Sequence, residues 1–353
     1  MREGFGRIAR FIQFVIDEAR EPTSIAAHID AILKCKHSFA LKMMDPDVRR
    51  TGAYIPYTLY RRRIDVHNSR TIAFLANKIT QKLWFDRWFP EYAPPVLYYV
   101  GTDKLIPVSS AAAPRSIADL PRLVRDHGSL FLKPSDGYGA RGIMHVALRN
   151  SFIEVNKKPI TDDALSGMAQ AKLGGYLISE VIQNAPWTAK FFDQTLNTIR
   201  ILTGSCSVSR PPLILSAILK TGKATSFPTD NWQKGKGGIS AKIDIETGRV
   251  GLALSYDPAG RTRRPLKHHP ETGAAITGET VPGWPAIKQL IIQVAGRLPF
   301  PGIVGWDVAL SPDGIVIVEG NGIPGIDIHE AHESLISNVD QKEFWRGMNI
   351  VLR

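Results

Sequence analysis

The sequence contains very little cysteine and no long run of apolar residues. Cys35 and Cys206 are the only cysteines among 353 residues, too few for a disulfide framework or a four-thiolate zinc site. No apolar stretch is long enough to span a bilayer. The short apolar run from Phe11 to Ile16 is followed at once by charged residues, which is wrong for a secretion signal. We therefore expect a cytoplasmic protein without a transmembrane segment.

Acidic residues are also fewer than basic ones. Asp and Glu number 33 against 44 Lys and Arg, and the formal net charge is +11. Such an excess favours anionic partners: nucleotides, acidic small molecules, nucleic acid or an anionic membrane surface. The two dense basic clusters, residues 61–63 and 261–264, interleave no aromatic side chains on which bases could stack. The pattern argues against nucleic acid as the partner.

The N-terminal part of the chain is predicted to be helical. Residues 7–20 place a stripe of apolar side chains at helical spacing: Ile8, Phe11, Ile12, Val15, Ile16 and Ala19. A second helix after Ser24 directs four apolar side chains inward: Ile25, Ile29, Ile32 and Leu33. A third runs from Ser69 to about Trp88 with a further inward stripe: Ile72, Leu75, Ile79 and Leu83. We expect these stripes to pack on the core. The arginines at positions 2, 7 and 10 leave contact with a membrane surface as the alternative for the first helix.

After Pro95 the pattern changes from helical to strand-rich. Strands are predicted over residues 96–100, 130–134, 143–148, 176–182, 198–202, 213–220, 250–254, 303–310 and 315–319. Helices are predicted over residues 116–126 and 284–298. This mixture predicts an α+β chain with an antiparallel middle and a strand-rich C-terminal part.

A glycine-rich segment joins two of the predicted strands. Gly137, Gly139 and Gly142 match the dinucleotide-binding pattern, but that pattern works only when a helix follows. A strand pattern follows here, so the segment is typical of a flap whose backbone N–H groups can approach phosphate oxygens. Lys133, just before it, can reach the same phosphates. No G-K-[ST] is present, which excludes a Walker-type loop. A plain hairpin tip is the alternative.

Two acidic residues lie on the last pair of predicted strands. A turn at residues 311–314 places Asp307 and Glu319 on neighbouring strands, and Asn321 on the same face as Glu319. Carboxylate and amide oxygens are hard ligands that suit Mg²⁺. Both acids adjoin buried apolar runs, where a charge usually has a partner. We predict a magnesium site; an exposed hairpin with solvated acids is the alternative.

Taken in order, these segments resemble the ATP-grasp superfamily. The features that carry the resemblance are Lys133, the glycine-rich loop, the strand over residues 177–182, Asp307 and Glu319-Gly-Asn321. The chain is most similar to the sugar-transfer-associated branch, through residues 197–203, 231–232, 237–239, 244–248, 269–273, 305–307 and 319–327. The resemblance covers residues 130–330 well and residues 77–100 loosely, where the chain looks like the segment that supplies an earlier phosphate lysine in D-alanine ligases.

The resemblance implies an ATP-grasp fold in which two α+β subdomains hold the nucleotide, with ATP and Mg²⁺ as cofactors. The implied parts are an N-terminal helical region (1–68), an N-terminal ATP-grasp part (69–126), a lid subdomain (127–182) and a C-terminal subdomain with the metal site (183–353). The implied nucleotide-binding residues are Lys82, Lys133, Ser135, Gly137, Tyr138, Gly139, Gly142, Glu180, Val181, Ile182 and, near the ribose, Asn197. The implied metal ligands are Asp307, Glu319 and Asn321, and the implied catalytic residues are Lys133 and Arg200. For Arg200, a strand arginine paired with a surface acid is the alternative.

The chemistry implied is that of an ADP-forming ligase, which joins a carboxylate to an amine or thiol through an acylphosphate. The expected substrates are an acidic or sugar-linked small molecule and an amine-type acceptor, in polysaccharide or cell-surface biosynthesis and in association with enzymes of that process. The alternatives are a polyol-type small-molecule kinase on the same fold and a nucleotide-binding partner of a glycosyltransferase.

Two histidine pairs are further candidates. His268 and His269 could contact the substrate, but neighbours on a strand face opposite sides and do not share a metal. His329 and His332 do not form the zinc-protease H-E-x-x-H motif, because the second histidine comes one residue early. We expect His329 and His332 at the surface near a helix start.

Overall fold

The computed structural model describes residues 2–350 apart from residues 22, 109–112, 138, 140, 208, 234–236, 260–261 and 301, and of residues 2–10 it describes the backbone. Tyr138 and the side chains of Arg2, Arg7, Ile8 and Arg10 thus lie outside the described part. The described residues form thirteen α-helices: α1 (Arg2–Ala19), α2 (Ile25–Leu33), α3 (Ser38–Met43), α4 (Pro46–Thr51), α5 (Tyr57–His67), α6 (Ser69–Leu75), α7 (Lys78–Trp88), α8 (Leu120–His127), α9 (Asp162–Lys172), α10 (Pro186–Ala189), α11 (Trp284–Gly296), α12 (Asp327–Glu330) and α13 (Val339–Gly347).

The same residues form fifteen strands: β1 (Val96–Val100), β2 (Lys104–Pro107), β3 (Arg115–Ser116), β4 (Ser129–Pro134), β5 (Met144–Arg149), β6 (Phe152–Val155), β7 (Lys158–Ile160), β8 (Tyr176–Glu180), β9 (Thr198–Ser205), β10 (Leu213–Thr221), β11 (Ile239–Ile243), β12 (Val250–Asp257), β13 (Thr262–Leu266), β14 (Gly302–Ser311) and β15 (Gly314–Asn321). Every predicted strand is present, most of them within a few residues of the predicted ends. The α+β class is therefore confirmed. None of the helices in the described part is both long and apolar enough to cross a membrane.

Two antiparallel sheets organise the chain. An eight-stranded sheet has the order β3-β2-β1-β8-β4-β5-β6-β7, and a seven-stranded sheet has the order β13-β12-β11-β10-β9-β14-β15. Because β1 pairs with β8, one sheet runs across the boundary that the sequence predicts at residue 126. The second sheet lies wholly within the predicted C-terminal subdomain.

The seven-stranded sheet has one apolar face and one face, the polar face, on which charged and apolar side chains are mixed. Ile199, Ile201 and Leu219 join the largest core cluster together with Ile287 and Ile291 of α11. Since side chains alternate along a strand, the residues between them point to the opposite face. That face carries a set of charged and polar side chains: Arg200, Ser216, Lys220, Ser240, Lys242, Asp307 and Glu319. α11 therefore covers one side of the sheet, while on the other side these polar groups lie beside Leu202, Ile218 and Leu254, which belong to two smaller core clusters.

The N-terminal helical region is built into the same half of the molecule. The Lys36 side chain is fully buried, and its Nζ lies 2.7 Å from an oxygen of Asp327 and is also paired with Glu330. Glu330 in turn accepts a hydrogen bond of 2.7 Å from the backbone N–H of Ile55. The Asn68 amide donates to the carbonyl of Gly322 at 2.8 Å. These contacts hold the segment that follows Asn321.

The predicted inward faces of the first two helices are wrong. Phe11, Ile12 and Ile16 of α1 are 43%, 51% and 41% exposed. Ile25, Ile29 and Leu33 of α2 are 79%, 53% and 79% exposed. α1 docks instead through two other side chains, Phe14 and Glu18, each 1% exposed. The reason is a polar anchor: Glu18 accepts hydrogen bonds from the Ser38 N–H at 2.9 Å and from the His28 ring at 3.0 Å.

The predicted third helix is interrupted. α6 ends at Leu75 and α7 begins at Lys78, because the Asn77 side chain accepts hydrogen bonds from the N–H groups of Ile79 (2.8 Å) and Thr80 (3.3 Å) and caps the second helix. Leu75 is buried as predicted, whereas Leu83 is 54% exposed. The new start rotates α7, which buries Gln81, Lys82 and Phe85.

The Lys36–Glu330 pair gives a test of how firmly the N-terminal region is attached. Glu330→Gln should lower the free energy of unfolding by about 3 kcal/mol, because a buried ammonium loses a charged partner. Glu246→Gln is the matched control: Glu246 also pairs with a lysine, Lys288, but its side chain is 77% exposed, and we expect less than about 0.5 kcal/mol. Urea unfolding monitored by tryptophan fluorescence measures both. Equal effects of the two substitutions would contradict the attachment.

Candidate active site

The glycine-rich loop joins two antiparallel strands, as predicted. β4 precedes it and β5 follows it, with Phe131 opposite His145. Gly139 and Gly142 have φ values of +72° and +74°, a region in which glycine has no steric cost. A Cβ atom on Gly142 would lie 2.8 Å from the Tyr176 hydroxyl. A tight, exposed loop without a following helix is the result, and the Rossmann interpretation is excluded.

Contacts from two other segments position this loop. The Lys78 ammonium donates a hydrogen bond of 3.1 Å to the carbonyl of Gly137, and its backbone N–H donates one of 2.8 Å to the carbonyl of Ser135. The Asn231 amide donates to the carbonyl of Gly139 at 2.8 Å. The loop is therefore held between the N-terminus of α7 and the segment that precedes β11.

Lys133 lies near the end of β4, before this loop. Burial lowers the pKa of its ammonium to about 8, the nearby Glu319 carboxylate partly opposes this, and Lys78 lowers the pKa slightly further. Lys133 belongs to the eight-stranded sheet and Glu319 to the seven-stranded sheet. Lys78 of α7 contacts the glycine-rich loop, and Gln81 of the same helix exchanges hydrogen bonds of 2.8 and 3.0 Å with the backbone of Gly320, next to Glu319. Helix α7 therefore joins the flap end of one sheet to the acidic end of the other.

The two lysines of α7 have different partners in the structure. Lys82, the residue that the resemblance implies for phosphate, is buried and ion-paired with Asp86 one turn further along its own helix. Lys78, one turn earlier, contacts the glycine-rich loop instead. The signal in the sequence is Asn77, a good N-cap residue, which places Lys78 at the first position of the helix and next to the loop.

A buried ion cluster surrounds Asp307 on the polar face of the second sheet. Asp307 is directly opposite Glu319 on β15 and opposite Arg200 on β9. Arg200 donates from Nε and Nη2 to the two carboxylate oxygens at 2.6 and 2.7 Å, and the Lys220 ammonium lies 3.2 Å away. Burial alone would raise the pKa of Asp307, but these two cations bring it down to about 2. Arg200 is thus paired with a buried acid of the site, and not with a surface acid.

Glu319 and Asn321 form the neighbouring part of the predicted metal site. The Asn321 amide donates to a Glu319 oxygen at 3.1 Å and to the Gly305 carbonyl at 3.4 Å. Across the described part of the chain, no three His, Cys, Asp or Glu side chains come together as a metal-binding group. Two carboxylates and one amide nevertheless fit Mg²⁺, which takes few protein oxygens and completes its shell with water and phosphate.

The connection between the two sheets contains the remaining predicted residues. Glu180 ends β8, so the predicted strand is two residues too long. Its side chain is 48% exposed and accepts a hydrogen bond from His127 at 3.1 Å. Val181 and Ile182 follow it and are half-buried. These three residues lie where the chain leaves the first sheet.

Asn197 has a structural role in this connection. Its side-chain amide donates to the carbonyls of Thr188 and Phe192 at 2.9 and 2.7 Å, and its oxygen accepts from the Gly222 N–H at 3.0 Å. Both polar atoms of its side chain are therefore bonded to backbone groups. This role differs from the contact with a ribose that the resemblance implies.

Sequence reasoning missed Lys220 and Asp230. Lys220 follows the apolar run of β10, is 6% exposed, and lies 3.4 Å from Asp230 as well as close to Asp307. Asp230 accepts hydrogen bonds from the Thr198 N–H at 2.9 Å and from its hydroxyl. A lysine at the end of an otherwise apolar strand was the available signal, since a buried charge needs a partner.

His329 was predicted at the surface and is fully buried, because its ring packs against β10. Ser216 Oγ donates to Glu333 at 2.7 Å and lies 2.9 Å from His329 Nδ1. The single hydroxyl proton is used by Glu333, so Nδ1 must carry the proton that joins His329 to Ser216. Burial lowers the pKa of this ring to about 3. His332 bonds a different residue, Ser240, at 2.9 Å, so the two histidines do not act as a zinc pair.

The first histidine pair behaves as predicted for neighbours on opposite sides. His269 is 1% exposed and bonds the Gly222 carbonyl at 2.8 Å, whereas His268 is exposed.

The chain has an ATP-grasp fold. Two antiparallel sheets form it, with a glycine-rich loop at the end of one sheet and a pair of carboxylates at the end of the other. A model of the family described as sugar-transfer associated ATP-grasp matches residues 75–342. The chain belongs to this family. No curated protein matches the chain in sequence.

Solved structures of several ATP-grasp proteins are similar to this chain. D-alanyl-alanine synthetase A from Vibrio cholerae is 13% identical with a TM-score of 0.46, over 80% of this chain and 66% of that one. Biotin carboxylase from Campylobacter jejuni is 12% identical with a TM-score of 0.41, over 80% and 48%. L-amino acid ligase from Bacillus licheniformis is 11% identical with a TM-score of 0.36, over 73% and 43%. The chain spans about two thirds of the length of the first structure and less than half of the length of the other two.

The lowered pKa of Lys133 predicts a pH dependence of ATP binding. Below about pH 8 the nucleotide-free chain carries a charged Lys133, and its attraction to phosphate is fully present. Above that pH the chain must take up a proton to bind, so the Kd should rise by up to about tenfold per pH unit. Titration calorimetry from about pH 7.5 to about pH 9.5 measures this. In Lys133→Arg the charge persists, and the curve should be flat. An equally flat wild-type curve would contradict the prediction.

The two lysines of α7 can be compared directly. Lys78→Ala should raise the Kd for ATP by about tenfold or more, because a charged hydrogen-bond donor beside the loop is lost. Lys82→Ala removes the same charge one turn away and should change the Kd by less than about twofold, since Lys82 is already paired within its helix. A larger effect of Lys82→Ala than of Lys78→Ala would support Lys82 as the phosphate contact that the family resemblance implies.

Proposed function

We propose that the chain is an ATP-dependent ligase that activates a carboxylate as an acylphosphate and passes the acyl group to an amine-type nucleophile. Membership of the ATP-grasp family supports this. The observation that carries it is the placement of Lys133 and the glycine-rich loop opposite Glu319, with Asp307 beside Glu319 on the next strand. Positive charge and a glycine-rich loop on one side therefore meet hard oxygen ligands on the other.

In the proposed site, Lys78, Lys133 and the loop from Ser135 to Gly142 receive the phosphates of ATP. The ammonium groups and the loop N–H groups are donors matched to phosphate oxygens. The adenine is proposed to lie by Glu180, Val181 and Ile182, at the exit from β8. Tyr138 is kept in this proposal as a residue of the loop.

Mg²⁺ is proposed to bind to Glu319, Asn321 and Asp307. When bound, it would shield the negative charge of the phosphates. Arg200 fixes the orientation of Asp307 through two hydrogen bonds. Lys220 lies beside the same carboxylate at 3.2 Å, and Arg200 is kept in this proposal as a catalytic residue.

The proposed reaction has two steps. A substrate carboxylate oxygen attacks the γ-phosphorus and ADP leaves, while Lys78, Lys133 and the loop bind the charge on the transferred group. The amine then attacks the carbonyl carbon, loses a proton, and inorganic phosphate leaves. A thiol could replace the amine in the same sequence of bonds.

The substrates are proposed to be an acidic or sugar-linked small molecule and an amine-type acceptor, used in the cytoplasm in polysaccharide or cell-surface biosynthesis. The family description, sugar-transfer associated, supports the sugar link. The formal net charge of +11 supports an acidic substrate. Association with polysaccharide-synthesis enzymes belongs to the same proposal.

Hydroxylamine trapping tests the intermediate. With ATP, Mg²⁺ and a panel of uronic acids and amino acids, hydroxylamine should intercept the acylphosphate as a hydroxamate, with ADP and phosphate released in equal amounts. Glu319→Gln should abolish the hydroxamate, because a hard-cation ligand loses its charge. Lys288→Gln, far from the site and paired with the exposed Glu246, should leave it unchanged. A stable phosphomonoester identified by phosphorus NMR, without free phosphate, would instead show a kinase.

A further inference from the structure

The outer edge of β15 is bonded to a glutamine of α7. β15 is an edge strand of the seven-stranded sheet, so alternate backbone groups along it point away from β14. The Gly320 N–H donates to the side-chain oxygen of Gln81 at 2.8 Å, and the Gly320 carbonyl accepts from the Gln81 amide nitrogen at 3.0 Å. At this one residue, a side-chain amide therefore takes the place of a neighbouring strand.

The hydrogen bonds of the Gln81 amide allow one orientation only. Gln81 is 5% exposed, and its nitrogen also donates to the Leu75 carbonyl at 2.6 Å. Both hydrogens of the amide and its oxygen are thus used. A reversed amide would place a donor against the Gly320 N–H and its oxygen against two carbonyls. Burial and hydrogen bonds therefore hold this side chain in place.

Gly320 is also packed against a buried tryptophan. It lies opposite Trp306 on β14, and a Cβ atom on Gly320 would lie 2.7 Å from the Trp306 ring. Phe85, one turn after Gln81 on α7, packs against the same indole, with the ring centres 6.4 Å apart. α7 therefore contacts this point of the sheet twice, at the backbone of Gly320 and at the side chain of Trp306.

These contacts act on the two residues that flank Gly320. Glu319 and Asn321 are two of the proposed ligands of Mg²⁺, and alternation along the strand turns both side chains to the polar face. The Gly320 N–H belongs to the peptide plane that contains the Cα atom of Glu319. The Gly320 carbonyl belongs to the peptide plane that contains the Cα atom of Asn321. One glutamine therefore fixes the two backbone planes that carry these proposed ligands.

We propose that Gln81 is a positioning residue for the metal site, an inference that rests on the proposed function. The Gln81 amide holds the backbone of Glu319 and Asn321 in a fixed relation before a metal arrives, which lowers the cost of ordering these two residues on binding. Lys78, one turn earlier on the same helix, holds the glycine-rich loop through the Gly137 carbonyl. The same helix thus sets where the loop and the proposed ligands lie relative to each other.

Titration calorimetry of the full chain with a non-hydrolysable ATP analogue tests the proposal. The measured quantity is the factor by which Mg²⁺ raises the affinity for the analogue over that in a metal-free solution with EDTA. Gln81→Met should reduce this factor by about tenfold, because the residues that orient metal ligands contribute about that much to metal affinity. Gln81→Asn keeps the amide but is one methylene too short to pair with Gly320, and it should have the same effect. Lys78→Ala should instead weaken binding both with and without Mg²⁺.

Gln341→Met is the matched control. Gln341 is also 5% exposed, and its amide donates to the Leu215 carbonyl at 2.9 Å and accepts from the Ser337 N–H at 2.9 Å. This substitution should lower the melting temperature by a similar amount, because it also removes buried hydrogen bonds to backbone. It should change the Mg²⁺ factor by less than about twofold, since Gln341 bonds no residue next to the proposed ligands.

Three outcomes would overturn the proposal. A wild type that binds the analogue equally well with and without Mg²⁺ would overturn the proposed metal site and the role of Gln81 together. A wild-type factor that persists in both Gln81 variants would overturn the role of Gln81 alone. An equal loss of the factor in Gln341→Met would show that lower stability, and not the position of the ligands, causes the effect.

Discussion

The carboxylate of Asp307 is the constraint on which the second half of the molecule depends. At 6% exposure an unpaired carboxylate would be costly, so its partners are obligatory. Arg200 comes from β9 and Lys220 from β10, and both reach the same carboxylate. A slip of one residue in either pairing would turn one of these cations into the apolar face that α11 covers. The register of three strands and the charge of the site therefore specify each other.

The N-terminal region extends this constraint beyond the sheet. The segment after Asn321 packs against the region from α2 to α6. There the Tyr60 hydroxyl donates to the Pro324 carbonyl at 2.6 Å, and the Asn68 amide donates to the Gly322 carbonyl. At the other end of the same segment, Glu330 forms an ion pair with Lys36. Helices that the resemblance leaves unexplained thus fix the backbone on the C-terminal side of the proposed metal ligands. Their helical pattern alone could not show this, because every one of these contacts joins residues far apart in sequence.

Local patterns predicted the strands and the hairpin of the site well. The predicted turn at residues 311–314 placed Asp307 and Glu319 on neighbouring strands, as observed. A register shift between Asp307 and Val308, which the pattern did not predict, makes the two acids direct partners. The break between α6 and α7 has a local cause, the cap at Asn77, whereas the other failures in the helical region and the site depended on a distant partner. The α1 stripe is exposed because Glu18 is the anchored side, a choice made by Ser38 and His37 rather than by the helix itself. Lys220 and the buried position of His329 likewise follow from how strands and loops meet in space. The residues that bind the nucleotide and the metal stay a prediction. The juxtaposition of Lys133 and Glu319 follows from the fold.

The charges at the junction of the two sheets also indicate why the site would respond to a nucleotide. Arg200 and Lys220 are matched by Asp307 and Asp230, so this cluster is close to neutral by itself. Glu319 is different, since its nearest polar contact in the described structure is the neutral amide of Asn321. Lys133, its electrostatic partner, has a pKa of about 8 because burial outweighs the attraction. An anion placed between the loop and Glu319 would favour the charged form of Lys133, and a cation would be attracted to the Glu319 carboxylate. A phosphate and a metal arriving together would therefore satisfy two groups that the fold leaves only partly compensated.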